Sequence, residues 1–188
     1  MIVPPRRAPW RAAAALALLG GAMLPSAASA QEVFAGVYKH AVDTPFSFDT
    51  GERGADIELG FRFAPIRALH AVGSPSPYVI GSLNTVGDTS FVGAGIGWRV
   101  GLAGRLYLRP GVALIVHTGP SYRVDLATGR ETDLGSRVLF EPELGLGYQL
   151  SPKVSLEASW THVSHARLFN AHQNPGIDMW GGRVNLRL

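Results

Sequence analysis

The strongest constraint on this chain is a period of two. From residue 90 onward, apolar side chains recur at every second position in runs of about ten residues. Val92, Ala94, Ile96, Trp98 and Val100 form one such series. Leu106, Leu108, Val112, Leu114 and Val116 form the next, interrupted by Pro110. Val138, Phe140, Leu144, Leu146, Tyr148 and Leu150 follow, interrupted by Pro142. The last two series are Val154, Leu156, Ala158, Trp160 and then Trp180, Val184, Leu186, Leu188. Successive side chains of a strand point to opposite faces, so each run has one apolar face. The other faces carry Tyr107, Arg109, Glu141, Glu143, Ser155, Glu157, Ser159, Thr161, Arg183 and Asn185. An earlier run repeats the pattern, with Ile57, Leu59 and Phe61 against Asp56, Glu58 and Arg62. The spacing predicts eight strands, over 33–40, 56–63, 78–85, 90–100, 105–117, 137–150, 153–164 and 178–188. Several of the 23 glycines fall inside these runs, which disfavours helices and suits tightly packed, bent strands.

Two architectures share this periodicity. A soluble sandwich or lipocalin-like barrel, a periplasmic lipid binder for example, turns the apolar face inward. A membrane barrel turns it to lipid and pairs its charges in a small lumen. The N-terminus favours the second. Arg6, Arg7 and Arg11 precede an apolar run too short to span a membrane comfortably, and Ala28-Ser29-Ala30 fits a signal-peptidase site. We therefore expect a signal peptide over 1–30 and a barrel over 31–188. The three arginines account for the entire net charge of +3, so the basic balance is no argument for a nucleic-acid partner. With no cysteine, thiol chemistry and cysteine-ligated metal sites are excluded.

The expected fold is an eight-stranded antiparallel transmembrane β-barrel in the bacterial outer membrane, with both termini periplasmic. Trp98, Tyr148, Trp160 and Trp180 suit interfacial girdles. The connections 101–104 and 150–153 are short, as periplasmic turns should be; 41–55, 118–136 and 165–177 are long, as outer loops often are. The connection 64–77 is long where this scheme predicts a short turn.

One apolar face ends in polar residues. The sequence WTHVSH continues the series of Val154, Leu156, Ala158 and Trp160 with His162 and Ser164. Asp178 shares parity with Trp180 on the next strand, which places all three side chains on the lipid face at one height. A carboxylate beside an imidazole fixes its tautomer, and the imidazole can take a proton from a serine. The alternative is an ordinary wet barrel rim, with Asp178 closing a turn. His40, His70, His117, His165 and His172 have no metal-ligand spacing, and no phosphate-binding glycine loop is present.

The segment W-T-H-V-S-H-A, then N-P-G-I-D, then a strand that runs to Leu188, resembles the PagL-type lipid A 3-O-deacylases. The match is strongest over 162–188. The resemblance implies an outer-membrane esterase that removes the acyl chain at the 3-position of lipid A. It implies Ser164 as nucleophile, His162 as base and Asp178 as the acidic partner. It also implies Asn174 in support of the oxyanion, with His165 and Ala166 beside the nucleophile. The family signature is His-X-Ser-Asn-Ala, so His165 replaces an asparagine, Asp178 stands where glutamate is frequent, and the loop is about two residues longer than usual. Lipopolysaccharide is the implied partner, and neither metal nor cofactor is required. A non-enzymatic or degenerate small barrel is the competing expectation.

Overall fold

A computed structural model of the chain describes residues 30–47, 50–120, 122–124, 129, 131–168 and 175–188. The proposed signal peptide, apart from Ala30, lies outside the described residues.

Among the described residues there are eleven strands: β1 (Ala30–Lys39), β2 (Ala55–Phe63), β3 (Ser76–Asn84), β4 (Phe91–Gly97), β5 (Val100–Gly101), β6 (Leu106–His117), β7 (Tyr122–Val124), β8 (Glu131–Asp133), β9 (Val138–Gln149), β10 (Val154–Val163) and β11 (Ile177–Arg187). The order β4-β3-β2-β1-β11-β10-β9-β6 is antiparallel throughout, and β4 pairs back onto β6. The sheet therefore closes into an eight-stranded barrel, with β5 continuing β4 along β6. The ladder breaks at Trp98–Arg99, opposite Pro110, which has no N–H to donate. β7 and β8 form a separate small hairpin within the loop between β6 and β9.

The alternation in the sequence becomes an inside and an outside. Val92, Leu114, Leu144, Leu146, Leu156, Trp180, Val184 and Leu186 are exposed on the outer wall. Tyr107, Arg109, Glu143, Glu157, Arg183 and Asn185 are buried within. An apolar exterior around a charged interior is the pattern of a transmembrane barrel, and it rules out the soluble alternative. The lumen is filled. Arg183 donates to Glu143 at 2.6 Å, Tyr38 at 2.7 Å and Ser159 at 2.8 Å. Arg109 bonds Glu157 at 2.6 Å, and Arg62 bonds Glu32 and Asn185, both at 2.7 Å. Tyr107 fits because its neighbour on β9 is Gly147, where a Cβ would sit 2.1 Å from the ring. Toward the end bearing the long loops the lumen turns apolar, with Ile80, Phe91, Ile115, Leu139, Val163, Ile177 and Met179 packed together.

The long connection at 64–75 is built around a 3-10 helix at Arg67–Val72, closed by Gly73 at φ 87°. The six helix residues are exposed, and the Trp98 indole donates to the Val72 carbonyl at 2.7 Å. This is how a long connection fits at the short-turn end: it folds back against the barrel rim.

Candidate functional site

The candidate site lies where β10 and β11 leave the barrel at the long-loop end. The two strands are paired in a register that sets Trp160 opposite Trp180 and His162 opposite Asp178. β10 ends at Val163, but the chain stays beside β9 for one more pair, Phe140 with Ser164. The two backbone bonds of that bridge, 2.9 and 3.0 Å, hold Ser164 on the face shared by Trp160 and His162. Immediately afterwards the backbone turns sharply. Ala166 and Arg167 both adopt left-handed φ values, 52° and 62°, and the Leu168 N–H bonds the His165 carbonyl at 2.9 Å.

His162 Nδ1 lies 2.8 Å from Asp178 Oδ1. A carboxylate only accepts, so Nδ1 carries the proton and a neutral ring keeps its lone pair on Nε2. The Trp160 indole N–H donates to the same carboxylate oxygen at 2.9 Å. The other oxygen, Oδ2, accepts from the Thr44 hydroxyl. Trp160 also stacks on His162, with ring centroids 6.0 Å apart and planes at 26°. On another side the ring rests on Gly176, where a Cβ would fall 2.2 Å from Cε1. Glycine is required here by close approach alone.

These positions refine the sequence expectation. The parity is as expected, since His162, Ser164 and Asp178 share the outward face with Trp160 and Trp180. They are not open to their surroundings, however: Asp178 is fully buried, and Ser164 and His162 are 5% and 8% exposed. The β1–β2 loop roofs them. Its Val42 N–H bonds the Asp178 carbonyl at 2.8 Å, and Phe46 packs on Trp160 at 6.0 Å. His165, just past the last bridge pair, is fully buried. Ala166 is exposed in the turn that follows. Asn174 lies outside the described residues. Sequence reasoning missed Thr44 and Gly176 and read Trp160 only as a girdle residue. Gly176 in NPGID carried a weak signal; Thr44 carried none, being 134 positions from Asp178.

An apolar groove of about 700 Å³ adjoins the site on the outer wall. Leu144, Leu146, Ala158, Trp160 and Trp180 line it, and Pro45 and Phe46 overhang it. Ala158 makes the depression, because its neighbours across the two ladders are Leu146 and Gly182. Thr44 and Trp160 belong both to the groove and to the shell around Asp178. Among the described residues no cluster of His, Asp or Glu could hold a metal ion.

Comparison with known proteins agrees with this picture. The barrel is similar to the crystal structure of the outer membrane enzyme PagL, with a TM-score of 0.59 and 16% identity over 84% of this chain and 99% of that one. It is also similar to the Neisserial surface protein A (NspA), with a TM-score of 0.54 and 13% identity over 87% of this chain and all of that one. At these identities the likeness speaks for the fold: a closed, eight-stranded antiparallel β-barrel. No curated protein sequence matches the chain. The family model described as lipid A 3-O-deacylase (PagL) matches residues 72–187, which takes in β3 to β11 and every residue of the His162–Asp178 pair's own hairpin. The chain therefore belongs to the PagL family of lipid A 3-O-deacylases.

Proposed function

We propose that this protein is a serine esterase of the outer membrane, hydrolysing the ester-linked acyl chain at the 3-position of lipid A from the outer leaflet. The observation that carries the reading is the 2.8 Å bond from His162 to Asp178, two residues from Ser164 and beside an apolar groove. Membership of the family supplies the substrate class.

In this reading the Ser164 hydroxyl attacks the acyl carbonyl carbon while His162 Nε2 takes its proton. Asp178 keeps the ring in the Nδ1–H tautomer and stabilises the imidazolium that forms. The tetrahedral intermediate collapses with cleavage of the bond to the sugar oxygen, which leaves as the 3-hydroxyl with the proton held by His162. Water, deprotonated by the same nitrogen, then releases the fatty acid from Ser164 and restores the serine. Asn174 and backbone N–H groups around Ala166 are our candidates for stabilising the oxyanion. The groove beside Trp160 takes the scissile chain, so the lipid enters laterally without leaving the bilayer.

The test is the mass spectrum of lipid A from cells carrying the wild type beside Ser164→Ala. Loss of one hydroxyacyl chain with the wild type alone is expected. An unchanged spectrum with a folded wild-type barrel, or equal deacylation by both proteins, rejects the assignment.

A further inference from the structure

The Asp178 carboxylate is held by more than its imidazole. Oδ1 accepts from His162 Nδ1 at 2.8 Å and from Trp160 Nε1 at 2.9 Å. Oδ2 accepts from Thr44 Oγ1. The Thr44 hydroxyl is itself oriented, because its oxygen accepts the Phe46 N–H at 3.0 Å. That leaves its single proton for Asp178. The loop carrying Thr44 is anchored to the same residue through the backbone, by the Val42 N–H on the Asp178 carbonyl at 2.8 Å.

We propose that Thr44 is a positioning residue for the hydrolytic site, acting on His162 through Asp178. This rests on the serine-esterase reading above. The physical reason is rotational. An aspartate side chain is short, and its carboxylate plane turns readily about its terminal torsion, whose wells are broad. Donors on Oδ1 alone restrain one end of that plane. A donor on Oδ2 from a separate element fixes the other end. The plane is then set against the imidazole, and the Nδ1–H bond keeps its alignment while Nε2 exchanges protons with Ser164. The loop that roofs the groove thus also completes the acid–base relay.

Two roles of the loop make different predictions. Thr44→Val keeps size and branching but removes the Thr44 donor to Asp178 Oδ2, with Ser47 of the same loop still beside the carboxylate. Phe46→Ala removes the groove overhang but leaves the Thr44 hydroxyl in place. Orientation of the relay matters most in the transition state, so Thr44→Val lowers kcat roughly ten-fold or more with KM within about two-fold. Thr44→Ser restores the hydroxyl and recovers most of that loss. Phe46→Ala raises KM with the smaller effect on kcat.

The experiment pairs these kinetics, on purified barrels in detergent with lipopolysaccharide as substrate, with NMR of the imidazole N–H protons on histidine-labelled protein. The His162 Nδ1–H signal, assigned by its absence in His162→Gln, should lose intensity through faster exchange in Thr44→Val. It should return in Thr44→Ser and remain in Ser164→Ala. An Nδ1–H signal and a kcat both unchanged in Thr44→Val overturn the proposal, as does a Thr44→Ser variant as impaired as Thr44→Val. Wild-type protein without turnover would defeat the esterase reading; the imidazole signal would still decide whether Thr44 orders the Asp178–His162 pair.

Discussion

His162 and Asp178 face each other directly across the β10–β11 ladder, and their side chains meet at 2.8 Å. The pair is built by backbone register, not by the loop that joins the strands. Asp178→Asn keeps the shape but can present an N–H to Nδ1, which favours the wrong tautomer of His162. Turnover should fall by roughly 10²-fold or more with the barrel intact. Lipid A hydrolysis measured beside a heat-mobility assay of folding checks this; near-normal turnover would show that Asp178 has no part in the reaction.

Gly176 is a second point at which the site is exposed to a small change. An alanine there places its Cβ 2.2 Å from His162 Cε1, so the ring must move by at least about 1.3 Å to reach normal contact. Displacement on that scale should cost roughly 10²-fold in activity. Gly176 belongs to the loop end, so thermal unfolding in detergent should change little. A variant that melts early would instead make Gly176 a folding residue.

The lumen offers a stability prediction independent of the reaction. Arg183 is buried among Glu143, Tyr38 and Ser159. Arg183→Met leaves the buried Glu143 without that partner and should cost about 3–5 kcal/mol. Arg187→Met at the exposed strand end should stay within about 0.5 kcal/mol. Urea unfolding of the two variants in detergent gives the comparison directly.

A third region links the loop end to pH. His40 lies just past β1, with Nδ1 2.7 Å from Asp56 and Nε2 2.8 Å from Glu52. Burial opposes its charge, but hydrogen bonds to both carboxylates and their charges outweigh that, pushing His40 from 6.5 up to about 9. Burial likewise opposes ionisation of Glu52, and the bonds from His40 and Thr89 overcome it, holding Glu52 below the usual carboxylate range. A raised histidine stabilises the fold fully below its unfolded value and loses that contribution as pH rises through the folded one. Wild-type stability should therefore decline from pH 7 to above 9, and His40→Gln should flatten that decline. Glu52 acts at the other end, its contribution present above its ordinary value and lost as pH falls. Denaturation midpoints across pH for the two proteins test the His40 contribution; parallel curves would show that the cluster does not control loop-end stability.

Much of the architecture was legible because a barrel strand obeys one short-range rule. Alternation over 153–164 and 178–188 put Leu156 and Glu157 on opposite faces, the signal-like N-terminus favoured Leu156 outside, and the observed strands follow the expected ones within a few residues. The same rule put His162, Ser164 and Asp178 on one face. It had nothing to say of the 3-10 helix at Arg67–Val72, where no strand alternates and the tie to the barrel is a single bond from Trp98. It also left the outward face open, where the structure closes it with Thr44 and Phe46.

The sequence by itself therefore determined the strands, the two faces of each and the identity of the polar pair. Those depend on the direction of each Cβ, which the chain fixes locally. Only the tertiary structure decided that Asp178 is buried, that its second oxygen is held by Thr44, and that Gly176 seats the imidazole. Those contacts join the loop after the first strand to the last hairpin. They exist only because barrel closure lays β1 beside β11, and no local pattern encodes that meeting.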